Sequence, residues 1–245
     1  MNSSGRQEIK IPLYVGSKNR VEFPLGKKLR GHYLLVEPSE FVKYKMSYNN
    51  SHQLIKLEKD NGGFGFLLNS MLKHAKERGH EYILFCDDDI LGFSRRDKKP
   101  VDLNVFFGEA VNIMREKGYS QLMMSFQGHN WFYKDTLKEK IGAWCCFVMK
   151  VDDALQIGGY DETLPIYNDW DISANLIQHG FKTACWYAYM FDHKMKSQKG
   201  GASSLYRQET LNKAEEILAL KYGRGCLTTK EIHGQKEIRF KWSEL

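Results

Sequence analysis

The sequence predicts an α/β fold: a central, mostly parallel sheet flanked by helices. Three observations predict it. Short apolar runs alternate with helix-patterned segments through the first hundred residues. The run Glu81-Tyr-Ile-Leu-Phe-Cys86 is apolar almost throughout, as a strand covered on both faces must be. That run ends directly in Asp87-Asp88-Asp89. In such a sheet the loops that follow the strands gather along one edge, where ligands bind.

Ile9 to Val15 reads as the first strand, ended by the turn-prone Gly16-Ser17-Lys18-Asn19. Tyr33 to Val36 is the second. Glu37-Pro38-Ser39-Glu40 then starts a short helix over Phe41 to Tyr48, and Gln53 to Leu57 is the third strand. Asp60 to Gly65 is a glycine-rich loop leading into a helix over Phe66 to Arg78. Its Leu67, Leu68, Met71, Leu72 and Ala75 recur at helical spacing, and Gly79 stops it. After the fourth strand, Val105 to Lys117 and Asp152 to Ile157 read as helices, and Leu122 to Phe126 and Ala143 to Lys150 as strands. Asp169 to His179 is a helix, Thr183 to Phe191 an aromatic strand, and Leu205 to Tyr222 a last helix. No repeat or linker interrupts the 245 residues, which predicts one domain.

A hydrophobic share of 42% and a charged share of 27% exclude a disordered chain. No apolar run approaches the ~20 residues of a membrane span, and Met1 to Lys10 lacks the apolar segment of a secretory signal. Five cysteines without a CxxC pair suggest neither a disulfide framework nor a zinc site, and fit a reducing cytoplasm. The net charge of +6 leans towards polyanionic partners. Lys27-Lys28-Leu29-Arg30, Arg95 to Lys99 and Lys194 to Lys199 are basic clusters expected on loops.

Three adjacent aspartates at a strand end repel one another. A hard divalent cation, Mg²⁺ or Mn²⁺, offsets that repulsion through oxygen ligands and bridges to phosphates. On an extended tip Asp87 and Asp89 point the same way and can share one cation, whereas an acidic turn capping the next segment is the plainer alternative. The Gly62-Gly63-Phe64-Gly65 loop allows backbone N–H groups close to a phosphate or base; a helix start with an unusual backbone angle needs the same residues. Further on stand Ile157-Gly-Gly-Tyr-Asp-Glu162, Asn168-Asp-Trp-Asp171 and Phe191-Asp-His193. Asp169 and Asp171 also suit helix capping, and Trp144 suits either a stacking platform or a core.

A strand running into Asp-X-Asp, followed by Gly-Gly-aromatic-Asp-Glu and a further acidic segment, resembles the GT-A glycosyltransferases. The resemblance implies that Asp87 faces the ribose or the metal, and that Asp89 and His193, with Asp192 as rival, hold a metal bridging the diphosphate of a nucleotide sugar. It places Asp169 on the general base that deprotonates the acceptor, in an inverting reaction, and Asp171 on the acid that follows. Asn168 departs from the acid found before the base. Residues 1–95 become the nucleotide-binding half and 96–245 the acceptor half. Donor contacts are expected from Ser17, Asn19, Arg20, Glu37, Gly62, Gly63, Asp87 and Asp88. Lys199, in the Lys196 to Gly201 loop, and Arg207 are expected to close over the diphosphate.

Tyr14-Val-Gly-Ser-Lys-Asn-Arg20, Val36-Glu-Pro-Ser-Glu40, Asp87-Asp-Asp-Ile90 and the Lys199-Gly-Gly201 loop most resemble the TET-associated glycosyltransferases, which include phage enzymes that glycosylate hydroxymethylated cytosine. That resemblance implies a UDP-sugar donor, carrying a hexose or arabinose, and 5-hydroxymethylcytosine in duplex DNA as acceptor. The base would leave the stack to reach Asp169, and the basic clusters would grip phosphates. A GT-A enzyme acting on a polysaccharide, lipid or protein is the competing reading. A metal-dependent nucleotidyltransferase or nuclease, which needs no Gly-Gly-Tyr-Asp-Glu segment, is another, and a non-catalytic nucleic-acid-binding module a third.

Overall fold

A computed structural model of the chain describes residues 7–48, 52–127, 136–193, 207–232 and 235–245. The N-terminal elements are β1 (Gln7–Glu8), β2 (Leu13–Gly16), α1 (Pro24–Lys28), β3 (Leu29–Arg30), β4 (Tyr33–Val36), α2 (Phe41–Tyr48) and β5 (Gln53–Lys56). Next come α3 (Gly63–Glu77), β6 (Tyr82–Asp87), β7 (Ile90–Arg95), α4 (Leu103–Lys117), β8 (Tyr119–Phe126), β9 (Leu137–Glu139) and β10 (Cys146–Lys150). The chain finishes with α5 (Val151–Gln156), α6 (Asn168–Gln178), β11 (Lys182–His193), α7 (Gln208–Tyr222), β12 (Leu227–Ile232) and β13 (Gln235–Phe240). No helix of the described residues is long and apolar enough to cross a membrane.

One sheet runs through the molecule in the order β5-β4-β2-β6-β10-β8-β11-β7, with β9 on β11. The first four strands are parallel, as predicted. β10 then runs antiparallel to both β6 and β8, so parallel order covers one half and the sheet as a whole is mixed. Beyond β10, β11 runs parallel to β8 and β7 antiparallel to β11.

The strands bury both faces. Leu13, Val15, Leu84 and Cys86 join Tyr44 of α2 and Phe106 and Met114 of α4 on one side. Tyr14, Ile83 and Phe85 meet Leu68, Leu72, Ile172 and Leu176 of α3 and α6 on the other. A third apolar cluster joins α7 to the β12–β13 hairpin through Leu211, Leu218, Tyr222, Ile238 and Phe240.

Several predicted boundaries shift. Ile9 to Pro12 are not strand, and β2 begins at Leu13. Lys27 and Lys28 close the helix α1 and Arg30 lies in β3, where a basic loop was expected; Arg30 pairs with Glu8. Arg95 ends β7, an edge strand whose side chains are mostly half-exposed. The strand predicted from Ala143 begins only at Cys146. Trp144-Cys145-Cys146 form a three-residue turn closed by Cys146 N–H to Trp144 O at 2.5 Å, with Cys145 at φ 54°.

Candidate active site

The parallel half brings the predicted loops to one edge and ties them there. Gly16 pairs with Asp87 across β2 and β6. The Ser17 hydroxyl donates to Asp88 at 2.6 Å, and Arg20 Nη1 donates to Asp88 and Asp89 at 2.6 and 3.0 Å. Glu37 Oε1 accepts from Lys18 Nζ at 2.8 Å and from the Asn61 amide at 2.9 Å, which joins the loops after β2, β4 and β5. Asn19, at φ 58°, directs its N–H onto Glu40. Asp60 accepts from the Ser39 amide and hydroxyl.

These contacts reassign several residues. Asp88 turns inward to Ser17 and Arg20 rather than towards a ligand, and burial lifts its carboxyl above the usual range despite Arg20. Arg20 is held by two aspartates of the tip, so the repulsion there is offset partly from within the protein.

Asp87 and Asp89 stay together on the open side, and β7 explains how His193 joins them. The chain turns back after Asp89 into β7, which pairs with the end of β11; His193 falls opposite Ile90 after a bulge at Asp192. Asp192 is thereby exposed, and His193 faces the carboxylates. His193 Nε2 forms an ion pair with Asp89 Oδ1 at 2.8 Å. Burial lowers the His193 pKa, but Asp89 and Asp87 more than reverse this and raise it. Asp89 itself is half-buried, which would raise its carboxyl, yet His193 and Arg20 hold it low.

Ligand atoms of Asp87, Cys145 and His193 lie within 4.8 Å of one another. Burial, Asp89 and Asp169 push the Asp87 carboxyl up to about 8. His193 Nδ1 is buried without a hydrogen-bond partner among the described residues. Crowded carboxylates beside a histidine with a free ring nitrogen fit a divalent cation. Cys145, unforeseen in the sequence, is brought in by its turn: its carbonyl accepts the Asp87 N–H at 2.8 Å.

Asp169 occupies the first turn of α6. Its Oδ1 accepts the Trp170 N–H at 2.9 Å, and burial raises its carboxyl to about 7. It is close enough to Asp87 to raise that group too. Asp171 points elsewhere. Lys221 Nζ donates to both its oxygens at 2.6 and 2.8 Å and the Tyr222 hydroxyl donates at 2.7 Å, so this acid anchors α6 to α7. The geometry thus removes Asp171 from the predicted catalytic pair.

The departure at Asn168 has a physical reason. Its amide donates to Asp161 O and Leu164 O at 3.0 and 3.1 Å, contacts an ionised acid cannot make. The Gly158-Gly159-Tyr160 segment is held on α3 by Asn69, which exchanges hydrogen bonds with Tyr160 at 2.8 and 2.9 Å. Gly63 opens α3 at φ 86° and Gly62 precedes it as N-cap. Gly65 serves packing: a Cβ there would lie 2.7 Å from Asp161 O. Arg207 is exposed immediately before α7, and Lys199 lies outside the described residues.

The fold is similar to that of solved glycosyltransferases. S. aureus TarS 1–349 in complex with UDP-GlcNAc aligns with a TM-score of 0.57 at 15% identity, over 87% of this chain and 66% of that one. GalNAc-T7 with UDP, GalNAc and Mn²⁺ aligns with a TM-score of 0.51 at 12% identity, over 91% of this chain and 55% of that one. The chain therefore spans slightly under two thirds of the TarS fragment and about half of GalNAc-T7. No curated protein matches the sequence. A family model described as TET-Associated Glycosyltransferase matches residues 11–201, more than half of the chain. With its α/β sheet and the acidic tip at the end of β6, this chain belongs to the TET-associated glycosyltransferases.

Proposed function

We propose that the protein transfers a sugar, hexose or arabinose, from a UDP-sugar to the hydroxymethyl group of 5-hydroxymethylcytosine in DNA, in a metal-dependent, inverting reaction. The observation that carries this is the meeting of two acidic centres, Asp87 with Asp89 and His193 on one side and the raised carboxyl of Asp169 on the other. The ligands bound to TarS and GalNAc-T7 support the donor class, and the family supports the acceptor.

Asp87, Asp89 and His193 would hold a Mn²⁺ or Mg²⁺ ion, with Cys145 beside them. Such an ion neutralises the charge that grows on a leaving diphosphate. Asp169, ionised, takes the proton of the acceptor hydroxyl as its oxygen bonds to the anomeric carbon and the bond to UDP breaks. Burial keeps its pKa near the working range, where a base is both ionised and able to hold a proton. Ser17, Asn19, Arg20, Glu37, Asp88 and the Gly62-Gly63 start of α3 shape the donor edge through the hydrogen bonds above. Arg207 and Lys199 would reach the diphosphate from the later loop.

The test is incubation of the protein and Mn²⁺ with a panel of UDP-sugars and either hydroxymethylated or plain DNA. Transfer to hydroxymethylated DNA alone is expected. UDP-sugar hydrolysis without transfer to DNA would move the acceptor to a carbohydrate, lipid or protein. Failure of UDP to bind with Mn²⁺ present would end the donor assignment.

A further inference from the structure

A cleft of about 150 Å³, open to solvent, is lined by the residues next in the chain to Asp169 and Cys145 and is used by nothing described so far. Trp170 follows Asp169, and Trp144 precedes Cys145; both line it, together with Trp242, Phe126 and Tyr187. Ser125 is its main polar side chain. Among the described residues no carboxylate, carboxamide, lysine or arginine lines it.

The walls are fixed. Trp242 stacks on Phe240 at 4.9 Å and meets Trp170 edge-on at 6.2 Å. Trp144 packs against Phe126 at 5.3 Å, and its backbone N–H reaches Met123 Sδ. The neighbouring Ala143 N–H donates to Ser173, whose hydroxyl also donates to the Asp169 carbonyl, so the Trp144 turn and the first turn of α6 are pinned together. At Gly142 there is no room for a side chain: a Cβ would stand 2.2 Å from the Trp242 ring.

The rim differs from the interior. Lys140, two residues before Gly142, and Lys241, beside Trp242, are both exposed, and Lys140 Nζ lies 3.5 Å from Ser243 O. A heteroaromatic ring offers a π-face to indoles, and its backbone offers phosphates to lysines. The net charge of +6 has the sign that a polyanion requires.

We infer that this cleft is the acceptor subsite. It takes a planar nucleobase turned out of a nucleic-acid strand, directs the substituent of that base towards Asp169, and sets Lys140 and Lys241 against the flanking phosphates. The inference rests on the DNA-acceptor reading above and assigns the residues that recognise the base.

Three variants test it: Trp242→Ala, Gly142→Ala, which displaces the same indole, and the double reversal Lys140→Glu with Lys241→Glu. Each is measured for UDP binding with Mn²⁺, for KM towards hydroxymethylated duplex DNA, and for KM towards the free nucleoside 5-hydroxymethyl-2′-deoxycytidine. The two cleft variants should raise KM for both acceptors by about tenfold or more, from lost stacking, with UDP affinity unchanged. The lysine reversal should raise KM for DNA alone and lower the slope of log affinity against log salt by about one per lysine. Folded Gly142→Ala and Trp242→Ala proteins with unaltered KM for DNA would overturn the cleft and leave the DNA reading intact. Wild-type protein that ignores hydroxymethylated DNA and glycosylates an oligosaccharide would overturn both.

Discussion

The two acidic motifs of this protein divide their carboxylates in the same way. At the tip of β6, Asp88 is buried on Ser17 and Arg20, while Asp87 remains on the open side with its carboxyl pushed up to about 8. At the start of α6, Asp171 is buried on Lys221 and Tyr222, while Asp169 remains with its carboxyl raised to about 7. In each motif one acid is consumed in holding a loop or helix in place, and its neighbour is left short of partners beside the other motif. The difference lies in what lies nearby. Asp87 has a second acid, Asp89, and His193 within reach, the surroundings of a cation. Asp169 accepts from the Trp170 and its own backbone N–H groups, and among the described residues no cationic side chain shifts it, the surroundings of a proton acceptor. Acid count is thus a poor guide to chemistry; the partner of each acid decides it.

The largest effect is expected from Asp169→Asn. Transfer should fall by about 10³-fold while UDP binding with Mn²⁺ persists, since the amide keeps the shape and loses the base. Retained turnover would deny Asp169 that part. Next is Lys221→Met, which removes the cation from the buried Asp171 carboxylate and leaves it the Tyr222 hydroxyl. Thermal or urea unfolding should show a loss of about 3 kcal/mol, with donor affinity little changed in the protein that stays folded. An unaltered Tm would remove the anchoring reading of Asp171.

Gly65→Ala should cost about 1–2 kcal/mol by overpacking, because its Cβ would press on the backbone oxygen of Asp161 in the segment that positions Asp169. Smaller still, and graded, is the effect of pH. A carboxyl raised to about 7 is neutral below that value, so kcat/KM should climb as pH rises through about 7 and level off above it. In Asp171→Asn the limb should remain, since Asp171 is not the group that titrates into activity. A limb that vanished in that variant would reverse the assignment within the pair.

Much of this was legible in the residues, and what was not has physical causes. The parallel half announces itself because β6 is apolar and both faces of Tyr14 to Val15 and Ile83 to Cys86 are covered. The motif at Asp87 to Asp89 marks the carboxyl edge, and helical spacing identifies α3, α4 and α6. Hidden from sequence were features fixed by tertiary contact. β7 is half-exposed and shows no alternation, so nothing in Ile90 to Arg95 foretells that it will deliver His193. Cys145 reads as one more core cysteine, and only its φ of 54° turns it towards Asp87. The opposite fates of Asp169 and Asp171 rest on Lys221, fifty residues further on. The hairpin β12–β13, which carries no strong period, supplies Phe240 to the aromatic wall next to Trp242.

The register of β7 on β11 also makes the acidic tip depend on a long-range pairing. Asp89 and His193 are more than a hundred positions apart along the chain, and they meet only when the last sheet strand adds itself beside β8 and captures β7 on its outer edge. Until that docking the carboxylates of the tip have no histidine, so a growing or partly unfolded polypeptide should bind a divalent ion weakly. Ion affinity would then work as a gauge of finished folding, measurable by titrating metal during refolding and comparing its uptake with the appearance of native β-sheet signal.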